Sequence, residues 1–153
     1  MAIEAPASKF RKTNLKIYIA ICIGLAIWCA YDGHFNKQWI ERHTNHDGSE
    51  QPYLVFNKNA PPYFIGAAIL LTVYFFVFKK KKIIADETEL IISKSKRIPY
   101  DSIQKIDKMH FDSKGFFLIT YKDENDREIS YKLSDRLYDN LPVILEHLVA
   151  KIS

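Results

Sequence analysis

Two long stretches of this chain carry no charged residue, and they constrain its folding more than anything else in the sequence. The first, Ile17 to Tyr31, reads IYIAICIGLAIWCAY, and the second, Ala60 to Phe78, reads APPYFIGAAILLTVYFFVF. At about 1.5 Å of rise per residue, the second stretch nearly matches the ~30 Å hydrocarbon core of a bilayer. The first gives only about 22 Å, but it lengthens if Leu15 joins it and Lys16 extends its amine towards the headgroups. Pro61 and Pro62 suit a first helical turn, where a missing N–H costs nothing. Tyr18, Trp28, Tyr31, Tyr63, Phe75, Phe76 and Phe78 stand towards the block ends, as interfacial aromatic anchors do. A removable signal peptide is the competing reading of the first block. The sequence Cys-Ala-Tyr-Asp-Gly-His that follows lacks the small-residue cleavage pattern, so a retained helix is expected.

Charge placement predicts the orientation. Lys9, Arg11, Lys12 and Lys16 precede the first block, and Lys79, Lys80, Lys81 and Lys82 follow the second, with Lys94, Lys96 and Arg97 soon after. Between the blocks, Lys37, Arg42 and Lys58 are balanced by Asp32, Glu41, Asp47 and Glu50. The positive-inside bias therefore puts both termini in the cytoplasm. The expected organisation is a basic N-terminal segment (1–14), a transmembrane helix (15–31), an extracytoplasmic loop (32–59), a second transmembrane helix (60–78), a basic stop run (79–82) and a cytoplasmic domain (83–153). With 153 residues, there is room for one small domain beside the spans and none for a large enzyme core. Cys22 and Cys29 both lie in the first block, which leaves no disulfide framework and no CxxC motif.

After residue 82 the pattern changes to short strands. IIADETELIIS places Asp86-Glu87-Thr88 between two Ile-rich runs, which predicts a hairpin. Pro99 within KRIPYDSIQKIDKMHF predicts an edge strand and a turn. GFFLITYKD runs to the polar tip Asp123-Glu124-Asn125-Asp126 and returns through REISYKL, where Ile129, Tyr131 and Leu133 alternate with polar residues, as in a sheet with one wet face. Leu141, Ile144, Leu145, Leu148, Val149 and Ile152 then recur at helical spacing, with Asp139 or Asn140 as the expected cap and Pro142 in the first turn. The fold class that follows is an α+β membrane protein: two transmembrane helices, then a small antiparallel β domain closed by a C-terminal amphipathic helix.

The basic exit from the second block, the hairpin IIADETELII, the segment RIPYDSIQKID, the hairpin FFLITYKDENDREISYKL and the terminal helix together resemble the bacterial pleckstrin-homology-like (PH-like) domains. In many small membrane proteins these domains follow a pair of transmembrane helices. The resemblance covers about residues 82–153. It implies a binding or assembly module in the bacterial cytoplasmic membrane, and it does not imply phosphoinositide recognition. Five or six strands are expected here against the seven of a full PH barrel, which would make the barrel incomplete.

Chemistry is sparse. His34, His43 and His46, with Asp47 and Glu50, could gather round an ion, but they lack a helical metalloprotease spacing and sit beside the turn residues Asn45, Gly48 and Ser49. They are expected to be solvated loop groups, so no metal site and no cofactor is expected. The same loop holds Trp39, Ile40, Tyr53, Leu54, Val55 and Phe56, more apolar surface than a free loop carries. These residues are expected to face the membrane surface or a partner rather than form a separate hairpin. Gly24, Gly66 and Ala67 give the two helices small faces for close packing, on each other or on another subunit. Lys79, Lys80, Lys81 and Lys82 are expected at the membrane surface, where they fix topology and attract anionic lipid. Acidic residues interleave with the later lysines, so nucleic-acid binding is not expected. No GxSxG, Walker A or GxGxxG motif is present, His110 and His147 stand alone, and no small-molecule substrate is indicated.

The expected function is thus non-catalytic: a membrane-anchored interaction or assembly protein, an accessory subunit docking on a larger membrane complex through its spans and loop. The alternative is a self-associating, lipid-responsive module that binds anionic lipid through its basic cytoplasmic face. A part in a membrane enzyme or transporter is a residual reading, because neither block carries a deep ionisable group.

Overall fold

A computed structural model describes residues 1–153. It contains two long apolar helices and two small antiparallel sheets, an α+β arrangement divided into two compact units.

The sheet unit comprises Met1–Lys12 and Val77–Ser153. Its first sheet has four strands in sequential order: β1 (Ile3–Pro6), β2 (Lys82–Ala85), β3 (Glu89–Ile91) and β4 (Arg97–Pro99). The second has three: β5 (Ile103–Asp107), β6 (Phe116–Lys122) and β7 (Glu128–Ser134). The hairpin β2–β3 turns at Asp86–Thr88, and β6–β7 keeps an unbroken register from Phe116↔Ser134 to Lys122↔Glu128. Pro99 ends edge strand β4 ahead of a 3₁₀ turn at Tyr100–Ser102, as its missing N–H dictates.

Residues 82–153 supply six strands, within the five or six expected there, and a seventh comes from the N-terminus. The strand not foreseen is β1, which the sequence reading placed in a basic N-terminal segment. It pairs antiparallel with β2, Pro6 opposite Lys82 and Ala5 opposite Ile83, across the whole helical part of the chain. An edge position tolerates Pro6, because its missing N–H need not enter the ladder. Ala5, Ile83, Leu90, Ile98, Phe117, Ile119 and Leu133 are fully buried with Leu141, Ile144 and Leu148 of the last helix, α6 (Leu141–Ile152), so all these elements share one core. Before it, the single-turn helix α5 (Phe111–Lys114) stops at Gly115, whose φ of +69° is the left-handed conformation open to glycine.

The expected cap of α6 also needs correction. Asn140 occupies the capping position at φ 64°, and its side chain makes no bond to the helix. Its Nδ2 instead donates to Glu4 O at 3.0 Å, while Asp139 N donates to Pro6 O at 2.9 Å and Asp139 Oδ2 accepts from Lys9 N at 3.0 Å. Both residues fasten the N-terminal strand and the start of the first helix rather than their own.

The helical unit is Thr13–Phe76. Its first helix, α1 (Lys9–Ala30), starts inside the sheet unit, six residues before the expected 15, and runs on as a π-helical turn at Tyr31–Phe35. Then come α2 (Lys37–Arg42), α3 (Pro52–Asn59) and α4 (Pro61–Phe78). Both α1 and α4 are long and apolar enough to cross a membrane. Residues 32–59 are thus mostly helical. The only strand-like feature there is a single bridge between Thr44 and Glu50.

Candidate functional site

The segment between α1 and α4 holds a polar network centred on Asp32. This carboxylate is buried where α1 passes into the π turn. Its Oδ2 accepts from Trp28 Nε1 at 2.6 Å and its Oδ1 from Asn36 Nδ2 at 2.9 Å. Asn36 in turn caps α2, its Oδ1 accepting from Trp39 N at 3.3 Å. Trp39 stacks on His43 with ring centres 3.9 Å apart, and His43 Nδ1 lies 2.8 Å from Trp39 O. A small pocket of about 270 Å³ opens among Leu25, Trp28, Cys29, Asp32, Trp39 and Phe56.

Gly33, beside Asp32, fixes how α3 meets this turn. A Cβ built there would stand 2.8 Å from Asn57 C and O and 2.9 Å from Lys58 N. Backbone meets backbone with no room for a methyl group. This is the close approach that sequence reasoning assigned to Gly24 and Gly66. At both of those glycines an added Cβ would meet nothing within 4 Å, so neither marks a contact within the chain. Ala67 is only half-buried, while Ala26, Cys29 and Ala68 are the buried small residues of α1 and α4. The signal for Gly33 was an Asp-Gly pair at a helix end, which reads equally well as an ordinary turn.

The histidines and carboxylates of the loop do not converge: no three His, Cys, Asp or Glu side chains gather into a metal-binding group. His34 Nε2 lies 3.4 Å from Lys58 O, and Lys58 Nζ pairs with Glu50. Asp47 holds its own turn, accepting from Ser49 N–H and O–H, and these bonds, the hydroxyl's foremost, keep its carboxyl below the usual range.

The six apolar loop residues divide. Tyr53, Val55 and Phe56 are exposed on α3, Tyr53 by 72%, while Trp39 and Ile40 are half-buried. Leu54 is fully buried, which corrects its place among the partner-facing residues; it faces inward because α3 is a helix whose opposite side carries its neighbours. Val55 and Phe56 line an apolar groove of about 570 Å³ with Pro52, Tyr63 and Phe64. A second groove, about 500 Å³, runs between α1 and α4 and is lined by Ile23, Ala26, Ile27, Ile65, Ala68 and Ile69.

Of the four lysines after α4, Lys82 behaves differently. It opens β2, and its Nζ pairs with Glu4 Oε1 at 2.8 Å across the β1–β2 ladder. Lys79, Lys80 and Lys81 are exposed. In the sheet unit, burial and then the carboxylates of Asp86 and Glu89 push Tyr100 up to about 12. Its hydroxyl donates to Asp86 O at 2.6 Å, and His147 Nε2 lies 3.3 Å from the same carbonyl.

Comparison with known protein families, with characterised proteins and with solved structures finds no match to this chain.

Proposed function

We propose that this chain is a non-catalytic, membrane-anchored assembly protein, an accessory subunit that docks on a larger membrane complex. In this reading α1 and α4 cross the bacterial cytoplasmic membrane as a pair, residues 32–59 lie outside, and the sheet unit is a PH-like domain in the cytoplasm. The observation that carries it is the amount of apolar surface left uncovered. Ile65, Ile69, Leu70, Val73, Phe76 and Val77 of α4 are all exposed, and so are Tyr53, Val55 and Phe56 beyond the helix. Lipid accounts for the first group. The second lies outside the apolar stretches, and a protein partner is the natural cover for it.

Two further features support the reading. Pairing of β1 with β2 holds the chain just before α1 next to the chain just after α4, which suits two crossings and termini on one side. Seven strands with a closing helix agree with the strand number of a full PH barrel.

The deciding experiment is the native mass of the full-length protein extracted from its own membrane in mild detergent. Foreign subunits in fixed ratio are expected. A chain that emerges alone or as a small homo-oligomer would overturn the docking role.

A further inference from the structure

The fold joins two basic runs that lie far apart in sequence. Ala7 N donates to Lys81 O at 3.0 Å, and Arg11 Cζ stands 5.4 Å from the ring centre of Phe78, the last residue of α4. Lys9, Arg11 and Lys12 from the start of α1 are therefore gathered at the same junction as Lys79, Lys80 and Lys81. Few acidic groups oppose them. Glu4 is taken by Lys82, and Asp139 accepts from the backbone of Lys9. None of the chain's ion pairs uses Lys9, Lys12, Lys80 or Lys81. The C-terminal dipole of α4 offsets only about half a charge. Beside these cations, Phe10 and Val77 expose apolar surface, Phe10 by 73%.

We propose that this junction binds the headgroup of an anionic phospholipid, its phosphate held jointly by the cations at the start of α1 and the end of α4, its acyl chains against Phe10 and Val77. The inference rests on the reading that the two helices cross a membrane. The sequence alone pointed to Lys79–Lys82; the structure removes Lys82 and adds Lys9, Arg11 and Lys12. Exposed apolar side chains beside the cations favour a lipid over a soluble anion, which would gain nothing from them. A lipid bound at the junction bridges both helix ends, so it stabilises the folded chain by mass action.

The test is thermal unfolding of the full-length protein in neutral detergent, titrated with phosphatidylglycerol, phosphatidylcholine or inorganic phosphate. Phosphatidylglycerol alone should raise the midpoint, and the effect should fade as salt rises. Each juxtamembrane cation contributes about 1 kcal/mol, roughly fivefold, so K79Q/K80Q/K81Q should weaken the phosphatidylglycerol response on the order of a hundredfold. K105Q/K108Q, which removes the same kind of charge from and just after β5, should leave it in place. Equal stabilisation by phosphatidylcholine or by inorganic phosphate would overturn the lipid assignment, as would equal loss in K105Q/K108Q. Should the triple variant fail to fold, the lipid and salt comparison on the unaltered chain still decides. Alkaline carbonate treatment of native membranes separates the two readings. Release of the chain sinks the membrane reading and this site with it, whereas retention without a phosphatidylglycerol preference sinks the site alone.

Discussion

Replacing Gly33 by Ala should destabilise the segment between α1 and α4, whereas the same change at Gly24 or Gly66 should not. All three glycines have negative φ and sit in helical backbone, so Ala gains up to about 1 kcal/mol of intrinsic helix preference at each. At Gly33 the new methyl would lie 2.8 Å from Asn57 C and O, where ordinary contact begins at 3.4 Å. The atoms it meets are backbone, so no rotamer change relieves them and α3 must move. Overpacking of this kind costs about 1–3 kcal/mol. Because the propensity gain is common to all three, the difference between G33A and G24A isolates the clash. It should appear as a lower midpoint by about 2–4 °C per kcal/mol for a chain of this size. Intrinsic fluorescence suits the measurement, since the only two tryptophans, Trp28 and Trp39, both belong to the network around Asp32. If G33A melts with or above the unaltered protein and its emission is unshifted, α3 does not approach the π turn as described. If G24A is instead the destabilised variant, the face of α1 at Gly24 meets another subunit.

Other outcomes follow from the sheet unit. A chain joining Ser8 to Lys81 through a two-residue Asn-Gly turn should fold as a soluble domain with dispersed amide resonances, because Ala7 and Lys81 are already hydrogen-bonded neighbours; residues 83–153 alone, without β1, should aggregate or stay unfolded. Tyr100 is held neutral in the fold, so its contribution is fully present below about pH 10, its value in the unfolded chain, and is lost as pH rises towards about 12. Melting curves of Y100F should lack part of that alkaline decline, while at neutral pH the variant loses about 1 kcal/mol with the bond to Asp86 O. G115A should lower the sheet unit's stability by about 1–3 kcal/mol, because φ is +69° and the methyl would run into the Asp135 carboxylate; urea unfolding of the joined chain measures it. An unchanged midpoint would count against the α5 terminus described above.

What the sequence revealed depended on the range of the interactions involved. The apolar blocks, the β6–β7 hairpin and the stripe of α6 are periodic signals carried within a few residues of each other, and they could be read directly. Strand β1 could not be read this way. Ile-Glu-Ala-Pro is short, carries a charge and ends in Pro, and it becomes a strand only because β2 offers it an edge. Asp139 and Asn140 look like caps for the helix that follows, yet the left-handed backbone at Asn140 turns both towards residues at the opposite end of the chain. At the candidate site the exposed aromatics of α3 were legible as excess apolar surface. Which of them point outward was not, because a six-residue list carries no phase until the helix is known. Gly33 was hidden for a similar reason. A glycine announces that a side chain is missing, but not which piece of backbone takes the space.

The β1–β2 ladder also sets an order of events in synthesis. Glu4 leaves the ribosome first, and Lys82, whose amine pairs with it across the ladder, follows 78 positions later. In between, both apolar helices must be made and, if they insert, delivered to the bilayer. Until then β1 has no strand to pair with. A helix pair that inserts with only one crossing would strand β1 on the wrong side of the membrane, and the domain could never close. The ladder would then act as a checkpoint on insertion, and chains that fail it would remain open to proteases.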